Sequence, residues 1–353
     1  MSNQTASRFQ EIDYSNLGFG KYFSDHVFEA DNIDNVWSSG VLKQYSPMSI
    51  EPGMSTLHYG QTIFEGLKAY RDLKNGGVNI FRPEMNSRRL NRSAKRLCMP
   101  QYLEENFLDA IKQLVIRDKR FIPNERGQSL YIRPLLFGDG NFLGVHPSDS
   151  YKLLIMTSPV ASYYEEGLKP LKILVSHEYA RTVRGGLGAA KTAANYAASL
   201  YAAKKAKQEG YSQVLWLDGV SMEYIDEVGA MNIVFVIDNK IITPALDSGT
   251  ILAGVTRDTV IQLSKDFGYE VEERRIKVSE VFDSHKKGTL QEVFGTGTAA
   301  IISPVGQLTY NDKDIVINNM EIGPVAQKFY DTILGLVHGE IEDKNNWNLH
   351  LDI

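Results

Sequence analysis

Two prolines bracket a polar stretch, Ser158–Pro170 (SPVASYYEEGLKP), and divide the chain in two. The stretch contains Gly167 and has no apolar period, so it reads as a linker. At 353 residues a single hydrophobic core is near its upper size, which makes two domains the natural reading of such a break. The boundaries read as residues 1–160 for a small N-terminal domain, 161–171 for the linker and 172–353 for a large C-terminal domain.

Both halves mix strands with helices. The first ~15 residues are polar and read as a loose arm. Asn75-Gly76-Gly77 is a turn signal, and Val78–Phe81 reads as the returning strand. Pro83 suits the first turn of a helix that carries Arg88, Arg89, Arg92, Lys95 and Arg96 and stops before Pro100. Phe107, Leu108, Ile111, Leu114 and Val115 have amphipathic helical spacing. Leu130–Phe137 and Tyr151–Met156 read as strands. Beyond the linker come a buried-type strand over Leu171–Ser176 and a long Ala-rich helix over Ala189–Gln208. Strands follow at Val214–Leu217 and Ile233–Ile237, with Asp238-Asn239 turning into Ile241–Thr243. Thr256–Phe267 is a helix with Gly268 at its C′ position, Leu290–Phe294 leads into GTGTA, and Val325–Val337 is a closing amphipathic helix. Strict β-α alternation is absent. The class is therefore α+β, in two domains with the active site expected between them.

Composition narrows the function. With 38 Lys+Arg against 43 Asp+Glu the formal charge is −5, and 43% of the chain is hydrophobic. Those values exclude a disordered chain and give no electrostatic case for nucleic-acid binding. Cys98 is the single cysteine, so no internal disulfide forms and a reducing, cytoplasmic compartment is expected. No apolar run approaches the roughly 20 residues that span a bilayer, and no membrane association is expected. The first residues, MSNQTASRFQEID, lack the pattern of a signal peptide. Seven histidines are scattered without an H-E-x-x-H pattern or a cysteine partner, so no metal site is read.

One glycine run, GGLGAAKT at Gly185–Thr192, carries chemistry under two readings. As G-x-x-x-x-A-K-T it misses a P-loop by one residue, because Ala190 stands where the last glycine belongs. Val214-Leu215-Trp216-Leu217-Asp218 resembles a Walker B strand, so a nucleotide-phosphate-binding module is the remote alternative. Against it, the polar residues His177–Arg184 separate the glycines from the preceding strand, and Ala190 adds a Cβ where the backbone must approach phosphate. The other reading is a lysine, Lys191, set among small residues as an amine nucleophile.

Seven segments in order decide between them: LHYGQTIFEGLKAY, FRPEMNSRRLNRSAKRL, SLYIRPLLF, GGLGAAKTAANYAASL, EVGAMNIVFV, ILAGVTRD and EVFGTGTA. Together they resemble the branched-chain amino-acid aminotransferases, class IV enzymes of pyridoxal-phosphate fold type IV, from about Leu17 to the last helix. The resemblance implies a two-domain, D-amino-acid aminotransferase-like architecture, pyridoxal 5′-phosphate as cofactor, and a homodimer. It implies reversible transfer of the amino group from Leu, Ile or Val to 2-oxoglutarate. Within the same fold, a D-amino-acid aminotransferase or aminodeoxychorismate lyase is the nearest alternative; the YIRP and HYGQTIFEG segments favour the branched-chain reading.

Roles transfer position by position. Lys191 would join the cofactor aldehyde and move the substrate proton, and Tyr196 would bond the cofactor's phenolic oxygen. Glu227 would pair with the pyridine nitrogen, with Glu223 and Asp226 as competing assignments. Arg89 and Thr298, and the backbone N–H groups of Val255 and Thr256 at a helix start, would hold the phosphate. Gly297 and Ala299 would meet the substrate α-carboxylate from a turn. Phe19, Tyr59, Phe64, Tyr131 and Tyr163 would line the apolar slot, and Arg133 with Tyr59 and Tyr131 would bind the γ-carboxylate of glutamate. Arg181 matches an arginine near the cofactor. The chain departs from some relatives in two places: Ala300 and Ser303 replace a redox C-x-x-C, and Ala230 replaces a threonine near the amine site.

Overall fold

The computed structural model describes residues 7–161 and 168–353. Two compact units emerge: Met1–Glu165 with Leu334–Ile353, and Glu166–Ile333. Each combines one nine-stranded sheet with helices, the α+β class expected from the mixed periodicities.

In the first unit the sheet runs in the order Asn348–Leu351, Val78–Phe81, Leu67–Arg71, Ser129–Gly138, Ser150–Val160, His26–Ile33 and Val36–Trp37. Val41–Gln44 and Thr62–Phe64 pair to its side, and every pairing is antiparallel. Alternation puts Ile80, Leu130, Ile132, Leu153 and Ile155 into the core, where they join Leu90 from the Pro83–Arg96 helix and Phe107, Ile111 and Leu114 from the Glu104–Arg117 helix. Each such side chain, taken fully out of water, contributes about 1.5–3 kcal/mol.

The second unit has a mixed sheet: Ile225–Val228, Gln213–Leu217, Leu171–Val175, Ile301–Tyr310, Leu290–Gly297, Asn232–Ile237, Lys240–Thr243 and Val271–Glu273, with Lys313–Val316 beside Ile301–Tyr310. Leu171–Val175 runs parallel to both of its neighbours. The Asp238-Asn239 hairpin has positive φ at both residues (49° and 61°), as a tight two-residue turn requires. The Val255–Asp266 helix ends at Phe267, and Gly268 follows at φ 79°.

Four sequence expectations change. The long helix begins at Ala193, not at residue 189, because Thr192 is extended (φ −121°, ψ 148°) and the glycine run ahead of it forms turns. The arm is anchored from Ser7 onward: the Ser7 hydroxyl and the Arg8 N–H donate to Asp25, and Phe9 meets Phe121 edge-on at 5.4 Å. Residues 158–160 of the expected linker belong to the Ser150–Val160 strand. The last residues, placed with the C-terminal domain by sequence, pack with the first unit. Their strand pairs residue by residue with Val78–Phe81, a contact across most of the chain that no local pattern encodes.

Candidate active site

The strongest constellation is in the second unit, where the glycine run meets a helix. Asn195 reaches back from the first helical turn and donates twice, to the Leu187 carbonyl at 2.8 Å and the Ala190 carbonyl at 2.9 Å. That closes the loop just ahead of Lys191. Gly188 is required here, since a Cβ would collide with the Thr250 backbone. With the loop so folded, the Lys191 amine donates to the Tyr196 hydroxyl at 2.9 Å, and both side chains stay half-buried.

Glu227 is buried on the Ile225–Val228 strand. Its Oε1 accepts from Asn232 Nδ2 and from the Leu252 N–H, both at 3.2 Å. Its Oε2 lies 2.7 Å from Arg181 Nη1, itself buried, yet no N–H is well aimed at it. Burial pushes the Glu227 carboxyl up; the Arg181 charge is the largest opposing influence, followed by the Leu252 N–H. The competing acids have other surroundings. Glu223 pairs with Lys277 at 2.7 Å at the surface. Asp226 lines a cavity of about 510 Å³ with Arg184, Thr250 and Arg275, and burial lifts its carboxyl to about 6.

The Val255–Asp266 helix starts at Gly254, which brings no side-chain acceptor, so the first N–H groups, those of Val255 and Thr256, are suited to an anion. A Cβ at Gly254 would strike Asn232 Oδ1, so the glycine also lets Asn232 reach Glu227. Gly297 ends the Leu290–Gly297 strand, and Thr298 and Ala299 form the turn into Ile301–Tyr310.

The Walker B comparison dissolves at Asp218. Burial would raise its carboxyl, but the N–H groups of Ser221, Tyr224 and Glu223 and the Ser221 hydroxyl outweigh that and hold it down to about 2. Its oxygens organise the turn from Gly219 to Tyr224.

The first unit carries the expected phosphate and side-chain residues. Arg89, buried on the Pro83–Arg96 helix, makes a bidentate pair with buried Glu65 (2.7 Å for each bond), and Asn86 donates to the same carboxylate at 2.8 Å. That pair uses two of the guanidinium's N–H donors. Tyr131 and Arg133 share one face of the Ser129–Gly138 strand, and Arg133 Nη2 donates to the Tyr131 hydroxyl at 2.8 Å. The Arg133 guanidinium lies 4.8 Å from the Phe64 ring centre, and Phe19 meets Tyr131 edge-on at 4.9 Å. Thus Phe19, Phe64, Tyr131 and Arg133 form one aromatic–cationic cluster. Tyr59 has a different partner, donating to the Leu143 carbonyl. Tyr163 lies outside the described residues.

Sequence reasoning did not single out three groups. Glu65 and Asn232 stand inside quoted motifs, where an acid following Phe64 and an amide five positions after Glu227 were the available signals. Lys68 is buried on the Leu67–Arg71 strand, and desolvation brings its ammonium down to about 7; an alternating strand pattern gives no hint of that.

Comparison with known proteins bears on this geometry. The model of the family described as amino-transferase class IV matches residues 62–308. The chain is 53% identical over 342 residues to a probable branched-chain-amino-acid aminotransferase of Staphylococcus aureus (strain MRSA252), covering 96% of this chain and 95% of that one. It is 51% identical over 344 residues to branched-chain-amino-acid aminotransferase 2 of Bacillus subtilis (strain 168), covering 97% and 94%. It is similar in fold to the branched-chain amino acid aminotransferase from Thermobaculum terrenum in its PLP-form: TM-score 0.76, 26% identity, 92% of this chain and 97% of that one.

Proposed function

The chain belongs to amino-transferase class IV, and we propose that it catalyses reversible transamination between branched-chain L-amino acids and 2-oxoglutarate. The observation that carries the reading is the Lys191 amine at 2.9 Å from the Tyr196 hydroxyl, in the unit that buries Glu227 against Arg181. The donor set suits pyridoxal 5′-phosphate. Glu227 Oε2 is buried without a well-aimed donor, the right partner for a protonated ring nitrogen, and the helix start at Gly254 suits a phosphate.

When bound, that cofactor supplies an aldehyde to receive the amino group and a ring that delocalises the charge left as the substrate Cα loses its proton. The residues of this chain do the remainder. Lys191 Nζ holds the cofactor and carries the Cα proton; Tyr196 keeps that amine in place through its hydroxyl. Glu227 holds a proton on the ring nitrogen. Val255 and Thr256 N–H, Thr298 and Arg89 bind phosphate, and Glu65 fixes the Arg89 fork. The turn at Gly297 and Ala299 binds the α-carboxylate. Phe19, Phe64, Tyr131 and Tyr59 receive the apolar side chain, and Arg133 receives the γ-carboxylate of glutamate. We take the active form to be a homodimer, which sedimentation of the holoenzyme checks.

Lys191→Ala tests the reading. It removes the amine but leaves the phosphate site, so the variant should retain cofactor non-covalently and lose nearly all turnover. Borohydride should fix the cofactor to Lys191 in the wild-type protein. Trapping at another lysine, with turnover preserved in the variant, would refute the assignment.

A further inference from the structure

We propose that Arg181 is a positioning residue: it keeps Glu227 ionised in the protein interior and leaves Oε2 as the oxygen that receives a cationic ring nitrogen. The proposal rests on the reading of Glu227 given above.

The two oxygens of Glu227 are treated differently. Oε1 is committed to two fixed donors, Asn232 Nδ2 and the Leu252 N–H. Both donors are firmly placed, since Asn232 Nδ2 also bonds the Leu252 carbonyl at 2.8 Å. Oε2 has charge beside it, Arg181 Nη1 at 2.7 Å, without an aimed hydrogen bond. It therefore retains its capacity to accept. Arg181 is located by its neighbour: the Thr182 hydroxyl donates to the Thr250 carbonyl at 2.9 Å, two residues before Leu252. The loops that carry Arg181 and Leu252 are thus tied together on one carboxylate.

The charges facing Glu227 come from three places. Asp226, on the same strand, favours a proton on it; Lys191, from the loop before the Ala193–Gln208 helix, and Arg181 disfavour one. Burial outweighs each of them, and Arg181 is the strongest of the opposing influences. Without the guanidinium, burial and Asp226 face Lys191, the Leu252 N–H and the Asn232 amide, and the balance moves further towards the protonated carboxyl. A neutral acid cannot keep a ring nitrogen charged. Stability alone does not account for the pair, because replacing a buried ion pair by apolar groups is often neutral or favourable.

The test compares wild type, R181K, R181M, E227Q and R181M/E227Q. In cofactor-free protein the thermal midpoint is followed from about pH 5 to about pH 9, a window in which an unfolded glutamate is ionised. A carboxyl whose folded pKa lies above its unfolded value stabilises the fold at low pH and loses that contribution as pH rises. R181M should therefore lose stability with rising pH more steeply than wild type, approaching about tenfold in the folding constant per pH unit. R181M/E227Q, which has no buried acid at this point, should lose that excess slope. If R181M fails to fold while the double variant folds, the same conclusion follows. In the holoenzyme, R181M should lower kcat by about 100-fold, the loss expected of E227Q, and R181K should recover to within about tenfold of wild type. The double variant should be no worse than E227Q, because Arg181 acts through Glu227. A pH profile of R181M parallel to wild type, beside a damaged E227Q, overturns the proposal alone. An E227Q with wild-type turnover overturns the reading of Glu227 and the proposal with it.

Discussion

The Lys191 amine and the Tyr196 hydroxyl meet because only Thr192 and the first turn of the Ala193–Gln208 helix separate them, which is short enough to fold the side chains together. Substitutions at single residues follow from such contacts. Glu227→Gln keeps the shape of the side chain and removes its charge. We expect kcat to fall by roughly 100-fold, the scale for losing one preorganised electrostatic contact, with a smaller change in cofactor affinity. Stopped-flow rates of each half-reaction measure it, and a rate within about twofold of wild type would return the role to another acid. Arg133→Leu separates the two substrates. The guanidinium stands against Phe64 and bonds Tyr131, so it is the cation of an otherwise aromatic cluster. Removing one partner of a partly buried charge pair costs about 2–5 kcal/mol, some 30-fold to several thousand-fold. That loss in kcat/KM should fall on glutamate and 2-oxoglutarate, with little change for leucine and its oxo acid. Equal losses would make Arg133 structural.

Among the elements, the turn from Gly219 to Tyr224 is organised by a carboxylate rather than by its own backbone. Four N–H groups and the Ser221 hydroxyl converge on Asp218, and those of Ser221, Tyr224 and Glu223 with the hydroxyl depress its carboxyl from 3.8 to about 2. A depressed folded value stabilises the protein above the unfolded pKa, and the contribution is lost as pH falls from about 4 through about 2. Its full size is about 2 kcal/mol. Asp218→Asn should thus lower stability by that order at neutral pH, and the difference from wild type should vanish towards pH 2 in acid-denaturation curves. A difference that does not change with pH would assign the loss to packing. The same element shows why the Walker-like reading of VLWLD failed. Strand and acid were both legible, but which partner the acid takes depends on the residues after it.

At the scale of the molecule, the C-terminal strand makes a contact across most of the chain. Asn348–Leu351 pairs with Val78–Phe81, the Arg82 N–H donates to the Trp347 carbonyl at 2.7 Å, and the Arg82 guanidinium lies 4.9 Å from the Trp347 ring centre. Trp347 and Leu351 are both buried. Deleting Trp347–Ile353 removes two buried apolar side chains and bares a strand edge, and should lower the thermal midpoint by roughly 5–10 °C. An unchanged midpoint in calorimetry would show that the first unit does not depend on its tail.

The sequence by itself determined the class of the elements that apolar period marks, such as Glu104–Arg117 and Asn232–Ile237, and the chemical types expected at the site, but not the Val278–Lys286 helix or the Asn348–Leu351 strand. Apolar period distinguished the helices from the strands, and the seven ordered segments pointed to one family, because period and motif are properties of neighbouring residues. Tertiary structure alone decided which groups those residues meet. Arg89 grips Glu65 from 24 positions away, Arg181 sits on Glu227, and the C-terminal strand joins Val78–Phe81. Lys68 is stripped of water inside an ordinary strand. Burial and charge pairing depend on distances in space between segments remote along the chain, and a linear pattern carries no measure of those distances.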